Sequence, residues 1–385
     1  MLKKQVGFNL THDSSVSVLD EDGGIELFVE EERLSRIKHD TIPSRSCDLV
    51  LGRLSLKEIE KYEVGVSGLI YKDQYGRSTL DTMCEPLIIN SVKSLNTLPE
   101  ERSCENYEMM KKKFDKFFDH HLFHAYCGFY NSGFDDAAVV VVDGMGNAVI
   151  NNAGSVKEDT NEVASIFDAH YPNNMNLLGG MSTHSASSSW ESQNINHLGD
   201  WTCGIGMAYS AVASYMGFGS LGSGKLMGLA PYGKEDPNIK SFLLDNGFHV
   251  DSSLFYRTQN GCNFVPYDYL PRCGDGKSFD IENNFEKLAN LAWRLQEDFQ
   301  THMLKILLDA HKMTGRKNII LTGGCALNCA ANYWYLDKLP KDVKLYVEPI
   351  STDAGVSLGI AKAQHYSKTG SMKKHPLKTL YLGPE

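Results

Sequence analysis

No apolar run of membrane-spanning length occurs in the 385 residues, and Met1-Leu2-Lys3-Lys4 does not open a signal peptide. A membrane span and secretion are therefore not expected, and the chain reads as cytoplasmic. The nine cysteines contain no Cys-x-x-Cys pair, and Cys325 and Cys329 stand four apart without a second pair to complete a zinc site. Reduced, mostly buried thiols are the expectation. Basic excess is missing too: a formal net charge of −10 argues against a nucleic acid backbone as partner, although a local basic pocket would be invisible in the sum. What is present, 42% hydrophobic and 22% charged residues, is the composition of a soluble globular protein. The length exceeds one ordinary domain, so a bilobal or two-domain chain is expected.

The chain is most informative at His120-His121-Leu122-Phe123-His124-Ala125 and the run Ala137 to Val142 that ends in Asp143-Gly144-Met145-Gly146-Asn147. On a helix, His120 and His124 share a face about 6 Å apart, a spacing that lets two imidazoles reach one metal ion, while His121 points elsewhere. The β-branched run suits a strand buried on both faces. Asp143 then stands at its carboxyl end, where open α/β sheets bind ligands, and Gly144-x-Gly146 lets backbone approach a phosphate.

Gln5 to Leu19 reads as two strands around a turn holding Thr11-His12-Asp13-Ser14-Ser15, and Gly23-Gly24 turns into Ile25 to Val29. The charge run Glu30 to Asp40 reads as a solvated face. A helix near Ser44 to Leu51, a charged helix near Ser55 to Tyr62 and a strand Val64 to Ile70 follow, with nothing catalytic up to Arg102. Residues 150–200, rich in Asn, Ser, Gly and His, read as surface looping. Gly224-Lys225-Leu226-Met227-Gly228 is no P-loop, since the glycine spacing and the Ser/Thr after Lys225 are missing; it reads as a helix start packed closely on the sheet. A long amphipathic helix from Phe285 ends before Thr314-Gly315, with Gln296 on its exposed side. Strand Asn318 to Leu321 opens into Gly323-Gly324-Cys325-Ala326-Leu327-Asn328-Cys329, glycines that bring N–H groups to a nucleotide at a helix start. The two cysteines there would share that helix and pack in the core. A last strand from Lys344 turns at Asp353 into the helix Val356 to Gln364, and by position Asp353 reads as that helix's cap.

These motifs together resemble the NodU/CmcH-type O-carbamoyltransferases, the transferase domain of tobramycin carbamoyltransferase-like enzymes. The resemblance rests on His-His-Leu-x-His-Ala with Val-Asp-Gly-x-Gly, on His12-Asp13-x-Ser15, on Glu31-Glu32-Arg33-x-Ser35-Arg36-x-Lys38-His39, and on Gly224 to Gly233. Gly323-Gly324 to Cys329 and Pro349 to Gly355 complete it. Ser223 departs from it, standing where an acidic residue is common.

The resemblance implies a two-lobed actin-like ATPase (ASKHA) α/β fold, like that of the tRNA threonylcarbamoyl transferases. Lobe I would span 1–137, lobe II 138–353, and the helix 354–365 would return to lobe I. It implies transfer of a carbamoyl group from carbamoyl adenylate, made from carbamoyl phosphate and ATP, to a small-molecule hydroxyl. His12, Asp13, Lys38 and Asp143 would act in catalysis. Gly144, Gly146, Asn147, Lys225, Gly228, Gly323, Gly324 and Asn328 would bind nucleotide. His120, His124, Asp143 and Asp353 would hold a divalent metal, iron(II) before zinc or manganese. Alternative readings are a tRNA threonylcarbamoyl transferase and a non-catalytic nucleotide-binding protein, and a homodimer stays open. Residues 366–385 read as a linker toward a YrdC-like domain that makes the adenylate; with the chain stopping at Glu385, it reads as the transferase half alone, either a piece of a longer protein or a subunit whose adenylate-forming partner is a separate protein.

Overall fold

The computed structural model describes residues 3–41, 43–51, 61–67, 114–117, 119–150, 156–183, 202–245, 247, 249–258, 261–271 and 281–383. Strand β1 (Lys4–Asn9) pairs antiparallel with β2 (Ser15–Leu19), which pairs antiparallel with β3 (Ile25–Glu30). Asp20 sets the second turn, its carboxylate accepting the N–H groups of Asp22 and Gly24, while Gly23 takes the left-handed φ of 96°. Helices α1 (Glu31–Ser35) and α2 (Ser44–Val50) follow. Then β4 (Tyr62–Ser67) and β5 (Phe114–Phe117) add in parallel on the other side of β1, giving the order β3-β2-β1-β4-β5. The charged helix expected near Ser55 and the stretch from 68 to 102 lie outside the described residues.

Helix α3 (His120–Ser132) leads into β6 (Asp136–Val142), which is buried at all but its first residue. Next come β7 (Ala148–Ile150), β8 (Val156–His170) and β9 (Asn174–Ser182). Helices α4 (Ile205–Tyr215) and α5 (Ser223–Leu229), the hairpin β10 (Phe255–Thr258) and β11 (Gly261–Phe264), and the long α6 (Ile281–Thr314) intervene before β12 (Asn318–Thr322). Helix α7 (Cys329–Leu336), β13 (Lys344–Val347) and α8 (Ala354–Thr369) finish the chain's regular structure. β8 pairs antiparallel with β6 on one side and with β9 and the short β7 on the other, and β12 and β13 run parallel beyond β6. First, second and third strands antiparallel, fourth and fifth parallel: the pattern of the first sheet occurs again. That doubling is the actin-like ATPase fold.

The surface loop expected over 150–200 is in large part β8 and β9. Val163, Ala164, Ile166, Phe167 and Ala169 are buried against the sheet, and the polar residues around them hid the strand. The apolar stripe of α6 is buried as its spacing predicts, from Leu288 through Leu295 and Phe299 to Leu307, in the core shared with β6 and β12. At roughly 1.5–3 kcal/mol per buried large apolar side chain, this stripe is a main source of cohesion for the second half.

The two sheets are joined by exchanged helices. α3 follows the first sheet but packs on β6 and β12 of the second, whereas α8 follows the second sheet and packs on β1 and β2 of the first. The two helices also pack on each other, and glycine is required where they do. A Cβ on Gly359 of α8 would lie 2.0 Å from the Phe123 carbonyl oxygen of α3, and one on Gly7 of β1 would lie 1.9 Å from that of Ser357. The exchange brings the amino ends of α3 and α8 together between the sheets. Beyond α8, the segment expected as a linker lies against the body: Leu377 N–H donates to the Asn131 carbonyl (3.0 Å) and Phe28 N–H to that of Leu382 (2.9 Å).

Candidate metal centre and its cleft

His120 and His124 project from one face of the first turn of α3, both buried, with their Nε2 atoms 3.1 Å apart. Asp143 ends β6; its Oδ1 accepts the Gly324 N–H (3.1 Å), which leaves Oδ2 3.1 Å from His120 Nε2. Asp353 occupies the capping position of α8, yet its side chain caps no backbone N–H. Its Oδ1 lies instead 3.4 Å from His120 Nε2 and 3.7 Å from His124 Nε2. The ligand atoms of these four buried residues all lie within 4.8 Å of one another. His121, one residue along, faces away and meets Ser165 Oγ at 2.8 Å.

The electrostatics ask for a cation here. Among the described residues, Asp143 and Asp353 have ion-pair contacts with histidines alone. Burial by itself would depress His120, but the carboxylates of Asp353 and Asp143 outweigh it and hold the imidazole up to about 10. Asp353, against its own burial, is held well below the usual carboxylate range by His120 and His12. Two imidazoles and two carboxylates converging on one point form a donor set that fits a divalent transition metal, iron(II), zinc and manganese included.

Above this floor opens a cleft of about 580 Å³ whose lining includes His12, Asp13, His39, Gly144, Tyr209 and Gly324. The residues expected at a nucleotide scatter. Gly144 lines the cleft, and so does Gly324, where a Cβ would press Asp143 Oδ1 at 2.7 Å. Gly323, at φ 87°, lies against the Val142 carbonyl and is required by that approach. Gly146 packs on His121, and Asn147 is buried beside it, both off the lining. Lys225 and Gly228 are exposed on α5 outside the lining, to which that helix contributes Ser223, Gly224 and Met227. A Cβ added at Gly224 or Gly228 would meet no neighbouring element within 4 Å, so close packing on the sheet is not the reason for them. Asn328 lines the cleft, but its amide is committed: it caps α7 through Ala331 N–H and exchanges two hydrogen bonds with Gln296 (2.9 and 3.1 Å).

Gln296 itself corrects the sequence reading. It is buried, and Tyr209 Oη donates to it at 2.8 Å from a helix distant in sequence. Cys325 and Cys329 do not share a helix either. Cys325 is buried in the 3-10 turn Gly324–Leu327, and Cys329 is exposed at the start of α7, because Asn328 breaks the chain between them to cap it. Within the charge run, Glu31 is fully buried and accepts the Arg45 and Ser46 N–H groups at the start of α2 (2.9 and 2.7 Å). Lys38 is exposed and off the lining, while its neighbour His39, which the sequence reading passed over, is on it. His39 Nδ1 donates to Asp13 Oδ1 at 2.6 Å; Asp13 Oδ2 lies 3.5 Å from His12 Nε2, and His12 Nδ1 lies 3.5 Å from Asp353 Oδ2.

A family model described as Carbamoyltransferase N-terminus matches residues 4–362. The chain belongs to this family. It is 26% identical to an uncharacterized protein of Synechocystis sp., over 98% of this chain and 60% of that one. It is 27% identical to nodulation protein NolNO of Sinorhizobium fredii, over 97% and 49%. The chain thus spans about half to three fifths of the length of these relatives. Among solved structures, full-length HypF in its phosphate- and nucleotide-bound form is similar with a TM-score of 0.48 and 13% identity, over 96% of this chain and 56% of that one. The ROK hexokinase of Thermus thermophilus is similar at 0.40 and 12%, over 94% and 98%. Among the described residues no helix is long and apolar enough to cross a membrane.

Proposed function

We propose that this carbamoyltransferase moves the carbamoyl group of carbamoyl adenylate onto the hydroxyl of a small-molecule acceptor, a natural product, a sugar or a hydroxymethyl pyrimidine. The observation that carries the reading is the buried His-His-Asp-Asp centre at the floor of a cleft between two actin-like halves. His120, His124, Asp143 and Asp353 would hold the divalent metal, which supplies Lewis acidity toward the carbamoyl oxygen. Gly324 N–H keeps Asp143 turned toward the histidines. The acceptor oxygen forms a bond to the carbamoyl carbon, the bond from that carbon to the adenylate phosphate oxygen breaks, and AMP leaves. The hydroxyl proton passes to His12, the basic group at the cleft edge beside Asp353. Gly144, Gly324 and the Tyr209 wall take the adenylate, and Lys225 and Lys38, exposed outside the lining, would have to swing in to meet its phosphate.

In this reading residues 1–137 and 138–353 are the two lobes and 354–365 the return helix. A YrdC-like domain or subunit converts carbamoyl phosphate and ATP into the adenylate and passes it to this cleft. The test supplies carbamoyl adenylate and the metal-loaded protein with aminoglycoside, oligosaccharide, macrolide and hydroxymethyl-pyrimidine acceptors, scoring added carbamoyl mass. Carbamate formation and AMP release in equal amounts are expected. Product formed equally well from carbamoyl phosphate and ATP, with no YrdC-like partner, would sink the adenylate-transfer assignment.

A further inference from the structure

We propose that Cys203 and Cys262 are a redox pair, whose oxidation by a hydroperoxide to a disulfide fastens the hairpin β10–β11 to α4 and lowers turnover in the cleft. The effect on turnover rests on the carbamoyl-transfer reading; the disulfide does not. The two thiols come from positions 59 residues apart, yet their Sγ atoms lie 3.2 Å from each other. That closeness is built from both sides. Cys203 stands just before the capping Gly204 of α4, and its N–H is held by Ser252 Oγ (3.1 Å) in the turn that leads into β10. Cys262 shares a face of β11 with Phe264, two residues on, whose ring meets Tyr215 of α4 at 5.1 Å between centroids. Packing thus pins the hairpin to the far end of α4, and the thiol of Cys262 is brought to the near end.

The two thiols differ in access. Cys203 is buried, and burial together with the neighbouring sulfur holds its thiol well above the ordinary range, whereas Cys262 is half-buried and lines the cleft. A peroxide therefore meets Cys262 first. With hydrogen peroxide, the Cys262 sulfur attacks one oxygen, the O–O bond breaks, and the thiol proton leaves with the other oxygen as water, which gives a sulfenic acid. The Cys203 sulfur then attacks the Cys262 sulfur, the S–O bond breaks, and the Cys203 proton leaves with that oxygen as a second water. Two thiols are oxidised and one peroxide is reduced. Closing the gap from 3.2 Å to the ~2.0 Å of a disulfide draws the hairpin onto α4. Both are walls of the cleft: the hairpin supplies Thr258, Cys262 and Asn263 to its lining, and α4 supplies Met207, Tyr209 and Ser210. The first turn of α4 is in turn seated on Asp143, since a Cβ on Gly206 would lie 2.7 Å from the Asp143 carbonyl oxygen. A shift of about 1 Å in such a wall misplaces what it holds, and rate falls with it.

For the test, the zinc-loaded protein is treated with a small excess of hydrogen peroxide, cleared of it, cleaved without reduction and read by mass spectrometry. A Cys203–Cys262 linkage that dithiothreitol removes is expected, with Tm raised by at least about 3 °C over the reduced protein. AMP release from carbamoyl adenylate, with the acceptor panel of the preceding test, should fall at least about threefold and return with dithiothreitol. Cys203→Ala, whose side chain is off the lining, should turn over as the parent does and lose the linkage, the Tm rise and the reversible loss together. Cys262→Ser should lose the linkage and the Tm rise as well. Sulfinic or sulfonic acid at Cys262 without the linkage, or a linkage to another cysteine, overturns the pair. The linkage with unchanged turnover, or a reversible loss that survives in Cys203→Ala, overturns its control of the cleft. A reduced protein without turnover overturns the carbamoyl-transfer reading and the effect on turnover with it, while the linkage and the Tm rise still decide the pair.

Discussion

Two buried polar clusters lie along the same pair of exchanged helices, and they differ in where their hydrogen-bonding capacity points. Toward the far end, Lys362 Nζ donates to Asn131 Oδ1 (2.7 Å) and the His375 carbonyl (3.1 Å). The Asn131 amide donates to Glu348 (3.1 Å), which also accepts from Ile350 N–H (2.9 Å) and Tyr346 Oη (3.3 Å). Every group there is answered by protein. At the near end, His120, His124, Asp143 and Asp353 face one another around a common point, and the Nδ1 atoms of both histidines meet no hydrogen-bond partner. Burial lowers Lys362 to about 8 and raises Glu348 to about 7, as desolvation does to closed networks, whereas His120 is driven the opposite way from a buried imidazole. Burial of polar groups is thus common to both ends; a pull toward positive charge belongs to one.

The sharpest way to break this contrast is His124→Ala, which removes a converging ligand and leaves α3 a good helix. Metal retained after dialysis should fall by more than about a hundredfold in affinity, and carbamoyl transfer with it, while the circular dichroism spectrum stays that of the parent. Full metal occupancy would remove His124 from the centre. Next in size is Gly359→Ala, which presses a methyl group onto the Phe123 carbonyl and pushes apart the helices that both clusters share. Overpacking of this kind costs about 1–3 kcal/mol, read as a lowered Tm, and should weaken metal binding as well. An unchanged Tm would show that the crossing yields freely. The smallest effect is expected from Lys362→Met. Because Lys362 titrates near 8 when folded and near 10.5 when unfolded, the unfolded chain binds more protons between those values, and stability rises with pH from about 8 to 10. Glu348 acts in the opposite sense, its contribution falling as pH rises from about 4.5 to 7. Lys362→Met should flatten the upper slope in urea titrations while metal content and turnover hold; a slope that persists would assign it to another group.

Much of the near cluster was legible because its signals are local. One-turn histidine spacing needs only a helix, and strand-end aspartates need only a buried run before them. The far cluster and the cleft wall were not, because their members are brought in from distant segments. Gln296 sits beside the apolar stripe of α6, and its burial is decided by Tyr209 and Asn328, which helix periodicity cannot report. Glu31 looks like any member of a charge run until α2 places its first N–H groups against it. His39 carried one signal, its adjacency to Lys38, which drew attention to the wrong side chain. β8 was hidden by composition, since its apolar residues are diluted by Asn, Asp and Glu over a strand of unusual length.

The exchange of α3 and α8 between the sheets also couples two variables that are usually separate. Two of the four converging side chains ride on the helix anchored to the second sheet, and Asp353 stands at the start of the one anchored to the first. A rotation of one sheet against the other would move Asp353 against His120, His124 and Asp143, so in the proposed metal reading aperture and cation affinity would vary together. Linkage makes the relation reciprocal: a cation that favours one ligand spacing favours one aperture, and a substrate that favours one aperture tightens or loosens the cation by the same factor.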